Sequence, residues 1–312
     1  MFSAVVFAYS EVGFRCLQTL LDAGVDVPMV LTHEDSQAEQ QWFQSVARLA
    51  ADRGIETAAP SDPATPEWLE RIASLAPQYL FSFYYRRMLD PRLTACARWA
   101  ALNLHGSLLP KYRGRAPVNW AILNGETETG ATLHYMAAKP DAGPIVAQER
   151  VPIGIDDTAL AVSRAVAEAA ARLLRRELSR LAAGAPRGRE MDLSRGSYFG
   201  GRRPEDGRID WAKPAASVHN LIRAVAPPFP GAFTELLGRR VVFAGSRWIG
   251  EPAHHPELAP CLYEEEGALF LDCADRTRLE LTGLVLDGQA SGGAALRRIV
   301  GSGPVRLEPQ AV

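Results

Sequence analysis

Asn103, His105 and Asp141 are the residues whose types and spacing point most directly to chemistry. Asn103 and His105 lie two apart at the end of a short apolar run, so on an extended chain they point to the same side. Behind them come Gly106-Ser107-Leu108-Leu109-Pro110 and a basic, glycine-containing Lys111-Tyr112-Arg113-Gly114. An asparagine amide and a cationic imidazole both offer donors, and two donors converging on one point form an oxyanion site for a tetrahedral intermediate. A carboxylate beside a histidine favours its charged form, so Asp141 is expected to raise the His105 pKa. This set suits acyl or formyl transfer rather than hydride or phosphoryl transfer. Two plainer readings stay open: a polar strand end facing solvent, and an Asx turn at Asp141 before Gly143. Ser107 has no G-x-S-x-G elbow, and its hydroxyl is expected to bond the loop backbone. His33, His134, His219, His254 and His255 lack metal-ligand spacing and read as structural or surface residues, with His134 the best of a weak set.

The elements that must carry these residues follow from periodicity. Residues 3–9, 27–32, 79–83 and 99–104 are short apolar runs, read as buried strands. Between them apolar residues recur at helical spacing from Val12 to Leu21, from Val46 to Ala50 and from Trp68 to Leu75. Strands alternating with helices predict an α/β, Rossmann-like, parallel-rich sheet, whose ligands bind beyond the carboxyl ends of the strands. The first strand-to-helix turn, Ala8-Tyr9-Ser10-Glu11-Val12-Gly13, lacks G-x-G-x-x-G, which argues against a dinucleotide there. Further on, a helix is expected over 116–123, strands over 131–136 and 145–151, and a long helix over 158–183 capped by Asp156 or Asp157. Beyond a Gly- and Arg-rich stretch, one helix near 215–225 and strands over 232–237, 240–244, 268–273 and 279–286 predict a small β-rich, OB-like domain. The expected division is a catalytic domain 1–186, a linker 187–204, the OB-like domain 205–304 and a tail 305–312.

Composition excludes several classes. At 312 residues, 47% hydrophobic and 22% charged, the chain is an ordinary globular sequence of two-domain length. A formal net charge of -2 gives no global attraction to nucleic acid. Cys16, Cys96, Cys261 and Cys273 show neither disulfide nor zinc spacing, so no metal is expected and the thiols suit a reducing compartment. No apolar run has the roughly 20 residues that span a bilayer. Residues 1–9 enter a strand directly, without a charged leader, so a cytoplasmic, membrane-free protein is expected.

The segments 105–110 and 112–114, Asp141-Ala142-Gly143, Thr129 to Leu133, and Pro228-Phe229-Pro230-Gly231-Ala232 together resemble the 10-formyltetrahydrofolate-dependent formyltransferases, over nearly the whole chain. A narrower resemblance lies in residues 6–9, Phe81-Ser82-Phe83-Tyr84-Tyr85-Arg86, 103–117 and 124–130. These are similar to the formyltransferase part of the bifunctional polymyxin-resistance enzymes, which formylates UDP-4-amino-4-deoxy-L-arabinose in lipid A modification. In those enzymes an NAD-dependent decarboxylase of UDP-glucuronic acid would follow at the C-terminus, whereas this sequence ends at Val312, so a stand-alone transferase is expected. The resemblance also implies roles. His105 would be the general acid and electrophile, Asn103 would stabilise the transition state, and Asp141 would raise the His105 pKa. Arg87, Met88, Leu89, Arg115, Ala137, Ala138, Lys139, Pro140 and Asp141 would line the site of the co-substrate, 10-formyltetrahydrofolate. The sugar amine would attack the formyl carbon, charge would grow on its oxygen, and tetrahydrofolate would leave.

For the acceptor, a UDP-amino sugar is expected over initiator tRNA. A tRNA enzyme spends basic residues on phosphates, whereas His33 to Ser45 carries Glu34, Asp35 and Glu39 and no Lys or Arg. Arg187 to Arg189 and Arg202-Arg203 suit a linker or a diphosphate equally. Trp211, Arg202 and Phe229 are weak candidates for nucleotide contacts in the second domain, where packing explains them as well. A non-catalytic folate or nucleotide module is the alternative class, and retention of Asn103, His105 and Asp141 together argues against it.

Overall fold

The computed structural model describes residues 2–35, 42–286, 288–291 and 303–308. The chain divides into two compact units. The first comprises Met1–Pro117, Glu128–Pro152 and Ser163–Gly200, and the second Val118–Thr127, Ile153–Val162 and Gly201–Val312.

The first unit is built on a seven-stranded sheet. Its strands are β1 (Ser3–Ala8), β2 (Asp26–Leu31), β3 (Glu56–Ala58), β4 (Tyr79–Phe83), β5 (Ala100–His105), β7 (Glu128–Tyr135) and β8 (Ile145–Pro152), in the order β3-β2-β1-β4-β5-β7-β8. The five strands β3, β2, β1, β4 and β5 pair in parallel, and β7 and β8 continue the sheet antiparallel. Successive side chains of β1 alternate between two cores, as a strand buried on both faces requires. Ala4, Val6 and Ala8 face α1 (Ser10–Asp22), α2 (Val46–Asp52) and the later part of a long helix, α6 (Ala159–Ala182). Val5 and Phe7 face α3 (Pro66–Ser74) and α4 (Pro91–Thr94). A small parallel pair, β6 (Arg113–Gly114) with β9 (Tyr198–Phe199), carries part of the 187–204 stretch, and Arg189 bridges Ile145.

The second unit holds most of α5 (Pro117–Leu123) and all of α7 (Ala215–Val225). Its sheet is antiparallel and OB-like, ordered β10 (Ala232–Leu236), β11 (Arg239–Pro252), β14 (Thr277–Leu286), β13 (Ala268–Asp272), β12 (Cys261–Glu265), β16 (Val305–Arg306), with β15 (Gln289–Ser291) beside β14. Two of its strands exceed expectation. β11 runs 14 residues through bulges at Gly245 and beyond Trp248, which break the alternation that marks a strand in sequence. β12 was hidden by its charged end, Glu264-Glu265. The α6 cap also differs. Thr158 Oγ1 accepts from Ala161 N at 3.3 Å, whereas Asp156 accepts from Trp248 N and Asp157 from Gly154 N. Trp211 is a core residue, 2% exposed, with Nε1 donating to Thr234 Oγ1 and its ring edge-on to Phe243. Arg202 lies over the Trp120 ring at 4.9 Å. His219 is buried between Ile155 O and Ser246 Oγ, a structural role as expected.

Candidate functional site

The carboxyl end of β5 delivers Asn103 and His105 to one face of the sheet. The antiparallel register sets His134 of β7 directly opposite Asn103, so its side chain stands on that same face. Asp141 comes from the β7–β8 connection. That connection leaves the sheet beside Ala101 (Met136 N donates to Ala101 O), then folds back. Asp141 adopts a left-handed conformation, φ 49°, which aspartate tolerates better than most residues.

The four side chains meet. Asp141 Oδ1 lies 3.6 Å from His105 Nδ1 and 3.6 Å from His134 Nε2, and accepts from Asn103 Nδ2 at 3.4 Å. Its other oxygen accepts from Gly114 N at 2.9 Å. A turn residue alone would make none of these contacts, so the plain Asx-turn reading of Asp141 does not describe it. The polar strand-end reading fails as well, because His105 is buried.

The hydrogen-bond pattern assigns the tautomers. His105 Nε2 donates to Tyr112 O at 2.7 Å, which leaves Nδ1 as the lone-pair nitrogen of the neutral ring, turned toward Asp141. His134 Nδ1 donates to Tyr135 O at 2.8 Å, and its bare Nε2 accepts from Asn103 Nδ2 at 3.0 Å. Both Asn103 amide protons are therefore held within the cluster.

Burial pushes the His105 pKa down, and the opposing attraction of Asp141 does not restore it. The expectation of a raised value is corrected on this point: desolvating an imidazolium costs more than one partly exposed carboxylate returns. For Asp141, burial alone would raise the pKa, but His105, the His134 ring and the Gly114 N–H outweigh it, and the carboxyl is held below its ordinary range. The resting site thus holds a neutral imidazole beside a carboxylate.

The loop between them is fixed by buried polar bonds. Thr132 Oγ1 donates to Ser107 O and accepts from Leu109 N and Gln148 Nε2. Ser107 Oγ donates to Lys111 O, a local bond as its sequence context predicts. Gly114 is required: φ is 99°, and a Cβ there would lie 2.1 Å from Phe199 O.

The other expected residues take distinct positions. Met88 and Arg87 are exposed and Leu89 is half-buried, in the loop that follows β4. Ala137, Ala138 and Lys139 are exposed and Pro140 half-buried, immediately before Asp141. Arg115 is exposed beside Gly114. Arg187 and Arg189 line a separate cavity of about 730 Å³ with Gln148 and Arg180, and none of Asn103, His105 and Asp141 lines it. Residues 36–41 of the acidic 33–45 stretch lie outside the described residues. Among the described residues no cluster of three His, Cys, Asp or Glu could hold a metal, and no helix is long and apolar enough to cross a membrane. Sequence reasoning undervalued His134, whose signal is its strand parity opposite Asn103.

Residues 9–178 match the family described as Formyl transferase, and residues 202–295 match Formyl transferase, C-terminal domain. The chain belongs to the formyl transferase family. Among solved structures, this formyl transferase resembles an N-formyltransferase from Helicobacter canadensis in complex with folinic acid and dTDP-3-aminofucose. The TM-score is 0.71 at 20% identity, over 90% of this chain and 99% of that one. It resembles WlaRD, a sugar 3N-formyltransferase determined with dTDP and 5-N-formyl-THF, at TM-score 0.68 and 19% identity over 90% and 97%. A sugar N-formyltransferase from a Shewanella species aligns at TM-score 0.59 and 20% identity over 78% and 96%. At these identities the likeness is one of fold.

Proposed function

We propose that the protein transfers a formyl group from 10-formyltetrahydrofolate to the amine of a nucleotide-linked amino sugar, with UDP-4-amino-4-deoxy-L-arabinose as the acceptor. The observation that carries this reading is the meeting of Asn103, His105 and Asp141, with the Gly114 amide fixing the carboxylate. The dTDP-3-aminofucose and folinic acid of the Helicobacter canadensis protein and the dTDP and 5-N-formyl-THF of WlaRD, which share the fold, support a nucleotide-linked amino sugar and a formyl folate as the substrate classes.

The co-substrate, when bound, supplies an activated formyl group on a nitrogen leaving group. The residues proposed to hold it fit a ring edged with amide groups. The backbone N–H groups of residues 87–89 and 137–139 find no acceptor among the described residues and are left to bind one. Arg115 adds an exposed cation beside the site.

The chain's own residues then divide the work. His105, neutral at rest, takes the proton of the attacking amine at Nδ1 and returns it to the departing nitrogen. Asp141 stays ionised and steadies the imidazolium that forms between those steps. Asn103 gives up its long 3.4 Å contact to Asp141 and turns that N–H to the growing oxyanion, while its 3.0 Å bond to His134 keeps the amide oriented. Tyr112 O fixes the ring tautomer. His105 thus acts as base before it acts as acid, a refinement of its expected role.

The test is one panel: purified protein and 10-formyltetrahydrofolate with UDP-4-amino-4-deoxy-L-arabinose, other nucleotide-linked amino sugars, and charged initiator tRNA, scored for formyl transfer. Transfer to the UDP-4-amino sugar is expected. Transfer to tRNA alone would overturn the reading.

A further inference from the structure

Tyr84 leaves the carboxyl end of β4 in a left-handed backbone conformation, φ 58°. An aromatic residue there is strained, and such strain concentrates where a ligand is held. The strain has a visible consequence. It turns the ring so that its hydroxyl lies against Gly106, the residue directly after His105: a Cβ on Gly106 would stand 1.6 Å from the Tyr84 hydroxyl oxygen and 2.8 Å from Cζ. Glycine at position 106 is what makes room for it.

The ring packs against the main core cluster, so the hydroxyl is carried on a fixed arm rather than a free one. Yet that hydroxyl has no hydrogen-bond partner among the described residues. Burial, with the nearby Cys16 and Asp141, pushes the phenol pKa up, so the oxygen stays protonated and able to donate. An anchored and protonated hydroxyl beside the His105–Gly106 peptide, on a residue that is only half-buried, is placed to donate to a polar ligand atom.

We infer that Tyr84 is an acceptor-binding residue whose hydroxyl hydrogen-bonds the amino sugar and turns its amine toward His105. The inference rests on the formyl-transfer reading above. The acceptor is favoured over the folate because the amine must approach His105 to give up its proton, and Tyr84 abuts the residue next to it. A sugar ring also offers hydroxyls on the carbons flanking the amine. The unpaired backbone donors proposed for the folate lie instead in 87–89 and 137–139.

Tyr84→Phe tests this, because it removes one oxygen and leaves the ring packing and backbone in place. Steady-state kinetics with UDP-4-amino-4-deoxy-L-arabinose should show kcat/KM for the acceptor falling about 10- to 100-fold, the size of one lost hydrogen bond. KM for 10-formyltetrahydrofolate should stay within about twofold, and the melting temperature within a few degrees, as for a surface-type change. Calorimetry with the sugar nucleotide alone should show the same loss of affinity. Unchanged acceptor kinetics, or equal losses for both substrates, would overturn the inference. A wild-type protein that formylates no sugar nucleotide would instead overturn the function itself, so the two failures are distinct.

Discussion

Replacing Asp141 by asparagine removes one charge and, with the amide oxygen kept on Gly114 N, the long 3.4 Å acceptor of Asn103 Nδ2. Asparagine adopts φ near 49° readily, and its amide oxygen can still accept from Gly114 N. The larger loss is the attraction between the carboxylate and a protonated His105, whose Nδ1 is 3.6 Å away. At an effective dielectric constant of about 20, that attraction is roughly 4–5 kcal/mol, or about 3 pKa units on the imidazole. If the imidazolium forms during turnover, kcat should fall by about 10²–10³, allowing for relaxation around the amide. The pH dependence carries the sign. Activity needs neutral His105, so the wild-type rate should decline as pH drops through the ring's pKa, which burial sets below the ordinary histidine value of about 6.5. In Asp141→Asn only the Tyr112 carbonyl still opposes burial, so this acid limb should move to still lower pH while the plateau drops. Rates of both proteins measured from about pH 5 to pH 8, where an unperturbed histidine titrates, decide the matter. A variant with kcat within about fivefold of wild type and an unmoved acid limb would refute the reasoning.

Other consequences are as concrete. Asn103→Ala should lose about 10²–10³ in kcat with the fold intact, as loss of one oxyanion donor does, and circular dichroism should show unchanged secondary structure. Gly114→Ala places a Cβ 2.1 Å from Phe199 O at φ 99°, so thermal melts should report a loss of about 1–3 kcal/mol, with activity reduced through the shifted Asp141. Trp211→Ala empties a core position that is 2% exposed, and denaturant unfolding of the second unit should show about 3–5 kcal/mol lost. His105, held below its ordinary pKa, binds fewer protons folded than unfolded, so stability should fall as pH drops below about 6.5, and His105→Gln should flatten that slope in melts against pH.

The alternation of apolar runs with helical spacing was enough to read β1, β2, β4, β5 and the helices between them, because buried parallel strands are nearly continuous in Val, Leu and Phe. The reversal of direction at β7 was not legible: a strand's apolar pattern is the same whichever way it runs. For the same reason His134 was undervalued, since its place depends on the register with Asn103 rather than on any local motif. The conjunction of Asn103, His105 and Asp141 could be anticipated from residue type and family resemblance. The protonation state of His105 could not, because burial is a property of the packed site. In the second unit, bulges hid the length of β11, and side-chain volume alone did not separate Trp211 as core from Trp211 as ligand contact.

The most direct test is the rate of formyl transfer from 10-formyltetrahydrofolate to UDP-4-amino-4-deoxy-L-arabinose by wild type and by His105→Ala, followed by mass of the formamido product. The account predicts product with the wild-type protein and a rate at least about 10²-fold lower with the folded variant. Near-normal turnover by His105→Ala, or no sugar product from wild type beside formylated tRNA, would contradict it.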